Sequence, residues 1–292
     1  MMRRTITVLW PAVFALLARP AFAELVWSDE FDVGPELDSA VWNYDLGAGG
    51  WGNRELQAYT RSPENVRVGD GRLSIIARAE TGAGSDARFT SARITTQHKL
   101  TFRYGIVEAR IRIPDLADGL WPAFWTLGND FGAVGWPRCG EIDIMELGHS
   151  DAIGAGSINR RVGSALHWDN GGAKGGSAGW GEAAVELNDG FHLYRMDWTP
   201  DRITTYVDEQ MIGTFPIDSD SCADCSEFHR PHFLLLNMAV GGNYTGRLAP
   251  DEIIARLPAE MHVDYVRILD NGHTELGGSS VTPDTADTGS ED

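Results

Sequence analysis

An all-β sandwich of two large antiparallel sheets is the fold this sequence predicts, and three observations carry the prediction. Short runs of alternating apolar and polar residues recur along the chain, separated by Gly- and Pro-rich turns. Long stretches with the 3.6-residue apolar period of a helix are missing, "PDEIIARLP" being the best short candidate. Strand-helix-strand alternation is also missing, which argues against a parallel α/β sheet. At 292 residues the chain can bury a sizeable core, as one large all-β domain or as two small ones.

The N-terminus, "MMRRTITVLWPAVFALLARPAFAE", joins basic Arg3 and Arg4 to an apolar run from Ile6 to Ala18 and the small-x-small triplet Ala21, Phe22, Ala23. It reads as a secretory signal peptide over residues 1–23, cleaved before Glu24. The run is too short to cross a bilayer, and no later segment approaches ~18 uninterrupted apolar residues. A secreted or periplasmic protein with no membrane insertion is expected.

Further on, "NVRVGDGRLSIIA" predicts two strands around an Asp70-Gly71 turn, a strong short hairpin signal. "YGIVEARIRIP" sets Glu108, Arg110 and Arg112 on one face against Val107, Ala109, Ile111 and Ile113 on the other, a half-buried strand. "RITTYVDEQMIGTF", "HFLLLNMAVGG" and "MHVDYVRIL" continue the pattern. The Gly-rich stretch 170–181, "NGGAKGGSAGWG", lacks the context and the Gly-Lys-Ser/Thr ending of a phosphate loop and is expected to be a mobile surface loop. From Asn271 onward five acids, no Lys or Arg and few apolar residues predict a disordered tail or linker over 271–292, leaving 24–270 as the folded domain.

The formal charge of −18 becomes −21 without Arg3, Arg4 and Arg19 of the signal segment. Such an acidic surface argues against nucleic acid and anionic membranes as partners and suits a neutral polymer. Of the three cysteines, Cys222 and Cys225 are spaced to close a small disulfide loop, with Cys139 left as a buried thiol. Zinc needs four ligands, and no second Cys pair exists.

The run "GEIDIMELG" carries Glu141, Asp143 and Glu146 among Ile142, Ile144, Met145 and Leu147. A chance acidic cluster on a solvated strand face is one reading. The apolar partners, however, mark a central strand, and "GLWPAFWTLGND" just upstream brings Trp121, Phe124 and Trp125, rings on which sugars stack. Glycoside hydrolysis needs two carboxyl groups flanking one bond, ~5 to 5.5 Å apart if one is a nucleophile. Long side chains on a concave strand could converge to meet that need.

"GEIDIME" with "GLWPAFWTLG" upstream resembles glycoside hydrolase family 16, in particular its laminarinase-like branch of endo-β-1,3-glucanases. "LVWSDEFD", "GGWGNRELQAYT" at 49–60, "TSARITT" at 90–96, "YGIVEARIRIP", "FHLYRMDWTP", "LLLNMAVGGNY" and "MHVDYVRIL" follow in the expected order, covering Leu25 to Leu269. The resemblance implies a β-jelly-roll sandwich with an open concave cleft and retention of anomeric configuration, with no cofactor for catalysis. It implies Glu141 as nucleophile, Asp143 as its electrostatic helper and Glu146 as acid/base. Trp121 and Trp125 would wall the cleft, Asn53 and Arg93 would bind sugar, and His167 and Asn237 are further cleft candidates. It also implies a structural calcium held largely by backbone carbonyls, at Glu30, Gly71 and Asp264.

Read alone, Trp121 and Trp125 could pack in the core, Arg93 could pair with a neighbouring acid, and His167 could be structural. Trp51 and Trp168 are as compatible with loop packing as with a ligand platform. The partner expected is a laminarin-like β-glucan and the state a monomer. Mixed-linkage glucan, agar or carrageenan are alternative substrates, and a non-catalytic glucan-binding module is the alternative from another class.

The implied mechanism raises one geometric demand. In a regular strand Glu146 points away from the face of Glu141 and Asp143. One extra residue restores the phase, so a β-bulge at Ile144-Met145 is predicted.

Overall fold

Alternation along the chain sorts itself into two stacked sheets, antiparallel but for the pairing of Gln57–Tyr59 with Phe89–Ser91, in the computed structural model, which describes residues 23–80 and 88–278. The outer sheet runs Gln210–Pro216, Arg202–Val207, His192–Trp198, Gly105–Arg112, Ala259–Leu269, Leu73–Ala79, Phe89–Ser91 and Gln57–Tyr59. Leu25–Asp29 and Val66–Val68 pair beside this path. The second, cleft-bearing sheet runs Ala173–Glu182, Arg161–Asn170, Glu141–Glu146, Leu120–Gly128, His232–Val240, Arg93–Thr95 and Asn43–Asp45. The expected sandwich is therefore present.

Gly105–Arg112 shows why the sheets stack. Val107, Ala109 and Ile111 are fully buried while Glu108, Arg110 and Arg112 face outward, as the period of two requires. Trp27, Trp42, Phe102, Phe124 and Trp198 fill the space between the sheets. The Trp42 indole N–H is satisfied there by Asp29 Oδ2 at 2.7 Å. The predicted hairpin turns at Asp70 and Gly71, with φ of 55° and 65°. Two successive left-handed residues match the twist of the strands they join.

The structure departs from the sequence-based expectations in three places. The Gly-rich stretch is not a loop: Ala173–Glu182 is an edge strand paired along its whole length with Arg161–Asn170. The candidate helix in "PDEIIARLP" contracts to a 3-10 turn at Pro250–Glu252. The ordered chain also passes the boundary expected at residue 270, because Glu275–Gly278 pairs with Leu100–Arg103. Asn271 anchors that extension, its Nδ2 donating to Asp197 Oδ1 at 2.8 Å and to the Trp198 carbonyl at 3.0 Å. The signal segment up to residue 22 and the tail beyond 278 lie outside the described residues.

Cys222 and Cys225 are joined, with Cα atoms 5.5 Å apart, and Cys139 is free and buried. At the expected calcium position the side chains are engaged elsewhere. Glu30 accepts two hydrogen bonds from Arg267 at 2.9 Å, and Asp264 is paired with Arg110 at 2.6 Å. These pairings engage the side chains, not the main-chain carbonyls expected to hold the ion. No helix among the described residues is long and apolar enough to cross a membrane.

Candidate active site

The strand Glu141–Glu146 breaks its own rhythm. Asp143 faces Trp125 on one side and Ala165 on the other. Three residues later Glu146 faces Ala123 and Gly163, each only two residues further along its strand. Ile144 and Met145 thus share one ladder step, the predicted β-bulge. Both side chains enter the core, at 1 % and 0 % exposure. Burying each contributes about 1.5–3 kcal/mol, more than the roughly 1 kcal/mol net of a lost ladder hydrogen bond, so packing holds the bulge in place. As a result Glu141, Asp143 and Glu146 all line one cleft of about 730 Å³.

Three carboxyl groups crowded in a buried cleft cannot all ionise at neutral pH. Burial pushes Glu141 up to about 7, opposed by the cations of Arg93 and Lys174 and by a hydrogen bond from the Trp136 side chain. Burial, reinforced by the charge of Glu141, pushes Glu146 up to about 8. Its relief comes from the Trp121 indole, which donates to Glu146 Oε1 at 2.9 Å. Asp143 is raised well above the usual range by burial and then by both glutamates. The arrangement keeps Glu141 the more readily ionised glutamate and Glu146 the proton holder.

His167 sits opposite Glu141 in the register, its Nε2 3.7 Å from Glu141 Oε1 and 3.5 Å from Asp143 Oδ2. Burial, then the Lys174 charge, depresses its pKa to about 4. The imidazole is therefore neutral, and these contacts are not ion pairs. Ligand atoms of Glu141, Asp143 and His167 lie within 4.8 Å of one another, close enough to hold a cation. A cation there would occupy the very oxygens that an attacking carboxylate needs.

The structure brings every other cleft residue expected from the sequence to the same place. Trp121 and Trp125 share the cleft face of Leu120–Gly128, while Phe124 between them is in the core. The Trp125 N–H donates to Asn237 Oδ1 at 2.7 Å, and Asn237 Nδ2 donates to the Tyr59 hydroxyl at 3.1 Å. That hydroxyl donates onward to the buried Glu55 at 3.1 Å. Arg93 pairs with a neighbouring acid, its Nε 2.9 Å from Asp45 Oδ2, and its guanidinium lies over the rings of Trp51 and Trp125 in the cleft lining. Asn53 lines the cleft beside Trp51, whereas Trp168 packs on Phe228 away from it.

Sequence reasoning missed Trp136, Lys174, Trp180, His149 and Tyr244, all of which line the cleft. Trp136 comes from the segment 129–139, which folds back so that Val134 and Cys139 pack on Leu127, Phe233 and Leu235. Lys174 reaches it from the edge strand, with its Nζ 4.7 Å from the Trp136 ring centre. The nearest signal was the tryptophan just before "GEIDIME".

The sequence model of Glycosyl hydrolases family 16 matches residues 53–254. A beta-glucanase of Rhodothermus marinus is 41% identical over 253 residues, covering 84% of each chain. Among solved structures, the catalytic domain of an endo-1,3-beta-glucanase (laminarinase) from Thermotoga petrophila superposes with a TM-score of 0.72 at 38% identity, over 86% of this chain and 99% of that one. A family 16 enzyme of a Bacteroides ovatus mixed-linkage glucan locus, bound to a tetrasaccharide product, gives a TM-score of 0.73 at 33% identity, over 83% and 99%. With its two stacked sheets, its carboxylate-bearing bulged strand and these matches, the chain belongs to glycosyl hydrolase family 16.

Proposed function

We propose that the protein is an exported endo-β-1,3-glucanase that cleaves laminarin-like glucans by double displacement with retention. The observation that carries this reading is the bulge, which turns Glu146 onto the face of Glu141 and Asp143. Glu146, protonated near neutral pH, gives its proton to the glycosidic oxygen while the Glu141 carboxylate attacks the anomeric carbon. The bond from that carbon to the leaving sugar breaks as the bond to Glu141 forms. Glu146, now a carboxylate, then takes a proton from water, whose oxygen displaces Glu141. Asp143, kept neutral between them, spares Glu141 a second adjacent charge.

Endo action is supported by the extent of the cleft. Its lining runs from Asp45 on one edge strand to Trp180 on the other, leaving room for sugars on both sides of the cut. Trp51, Trp121, Trp125 and Trp136 supply ring faces along it, as a neutral polymer requires. The β-1,3 linkage is supported by relatives such as the glucan endo-1,3-beta-glucosidase of Cryptopygus antarcticus, 36% identical over 269 residues.

Reducing-sugar release compared across laminarin, lichenan, agarose and carrageenan tests the assignment. Laminarin should be cut fastest, with oligosaccharides rather than glucose appearing first. Faster release from agarose or carrageenan, or none from any of the four, would overturn it.

A further inference from the structure

Tyr244 lies beside Glu146 and carries a buried hydroxyl with no partner among the described residues. The strand His232–Val240 ends in Gly241 and Gly242, with φ of 69° and 100°, and this left-handed turn carries the chain back over the cleft face. The Tyr244 ring then stacks on Trp121, centroids 4.7 Å apart and planes 9° apart. Trp180 continues the stack from the edge strand at 6.3 Å, and the His149 ring meets Tyr244 edge-on at 4.9 Å. Three separate elements thereby hold one ring against the indole that donates to Glu146 Oε1.

The hydroxyl is buried and has no hydrogen-bond partner among the described residues. Its place is defined by Gly163, the register partner of Glu146: a Cβ there would lie 2.8 Å from the Tyr244 oxygen. An orphaned buried hydroxyl costs roughly 1–3 kcal/mol, so its retention next to a cycling carboxyl group calls for a use. Burial, then the charges of Glu146 and Asp143, pushes the phenol well above 10, so it remains an O–H donor at any working pH.

We propose that Tyr244 is a positioning residue for the acid/base: its ring holds the Trp121 N–H on Glu146, and its hydroxyl is the second donor available to the Glu146 carboxylate. The carboxylate exists only after Glu146 has protonated the leaving sugar, so the inference rests on the reading of Glu146 given above. Other groups near Glu146 are Glu141 and Asp143 on its own strand, Lys174 on the edge strand, Arg161 on the strand between, and His149 before the short helix Ser150–Ala155. All of them stay in place when only the phenol oxygen is removed.

The test is the pH profile of kcat/KM on laminarin for Tyr244→Phe, Tyr244→Ala and Trp121→Phe. Loss of a donor to the carboxylate raises the pKa of Glu146, so in Tyr244→Phe the basic limb should move up by about half a unit to one unit. Tyr244→Ala should move it at least as far, with a kcat loss of about tenfold, and Trp121→Phe should move it in the same direction. A Tyr244→Phe profile that overlays the wild type would overturn the role of the hydroxyl. An unmoved limb in Tyr244→Ala, with the thermal melt unchanged, would overturn the role of the ring. Glu146→Ala assayed on an aryl β-laminaribioside, whose leaving group needs no proton, separates the two levels. Activity kept there but lost on laminarin upholds the acid/base reading whatever Tyr244 does; normal turnover of laminarin would sink both.

Discussion

Glu141→Gln is expected to lower laminarin hydrolysis by on the order of 10⁴- to 10⁶-fold, because an amide cannot attack the anomeric carbon. The side chain keeps its shape, and its position opposite His167 is fixed by the ladder with Arg161–Asn170 rather than by its charge. The fold should therefore survive, with a melting temperature no lower than the wild type's. Residual activity above about a tenth of wild type in reducing-sugar release, from protein free of revertants, would contradict the assignment. Loss of the Glu141 charge also removes one of the causes that raise Glu146.

Glu146→Gln is expected to lose about 10²- to 10⁴-fold in activity on laminarin and at the same time to gain stability at high pH. The native pKa of Glu146, about 8, lies above its ordinary value of 4.5. Between those two pH values the folded protein holds a proton that the unfolded chain has released, so stability falls as pH rises through that window. The amide removes this dependence. Relative to wild type, the variant should gain little at pH 4.5 and on the order of 4 kcal/mol at pH 8, read as a widening gap between the two thermal melts. A gap that narrows with pH would mean that Glu146 is ionised in the native state and cannot be the proton donor.

What the sequence made legible followed from local pattern. Alternation in Gly105–Arg112 assigned the faces, Asp70-Gly71 announced a turn, and the five-residue offset between Glu141 and Glu146 demanded a bulge if both were to meet one bond. The illegible parts had no local pattern to read. Ala173–Glu182 is an edge strand whose glycines carry no side chain to alternate, and Gly175 and Gly179 are held glycine by Trp168 and by the backbone of Gly213 at distances no Cβ could tolerate. Glu275–Gly278 is a short exposed strand whose order comes from pairing with distant Leu100–Arg103. Tyr244, Lys174 and Trp136 reach the cleft by long-range packing, and only Trp136, just before "GEIDIME", has a local mark. The calcium expectation rested on resemblance and on main-chain carbonyls, which leave no side-chain pattern to read, and the Glu30 and Asp264 side chains pair with Arg267 and Arg110.

Double displacement requires Glu141 to form a covalent bond to the sugar. Incubation with 2-deoxy-2-fluoro-β-laminaribiosyl fluoride, followed by denaturation, proteolysis and mass spectrometry, tests it directly, because the 2-fluorine slows both formation and release of the intermediate while the activated leaving group speeds formation alone, so the intermediate accumulates. A single adduct is expected, on Glu141. An adduct on Glu146, or none from protein that still turns over laminarin, would contradict it.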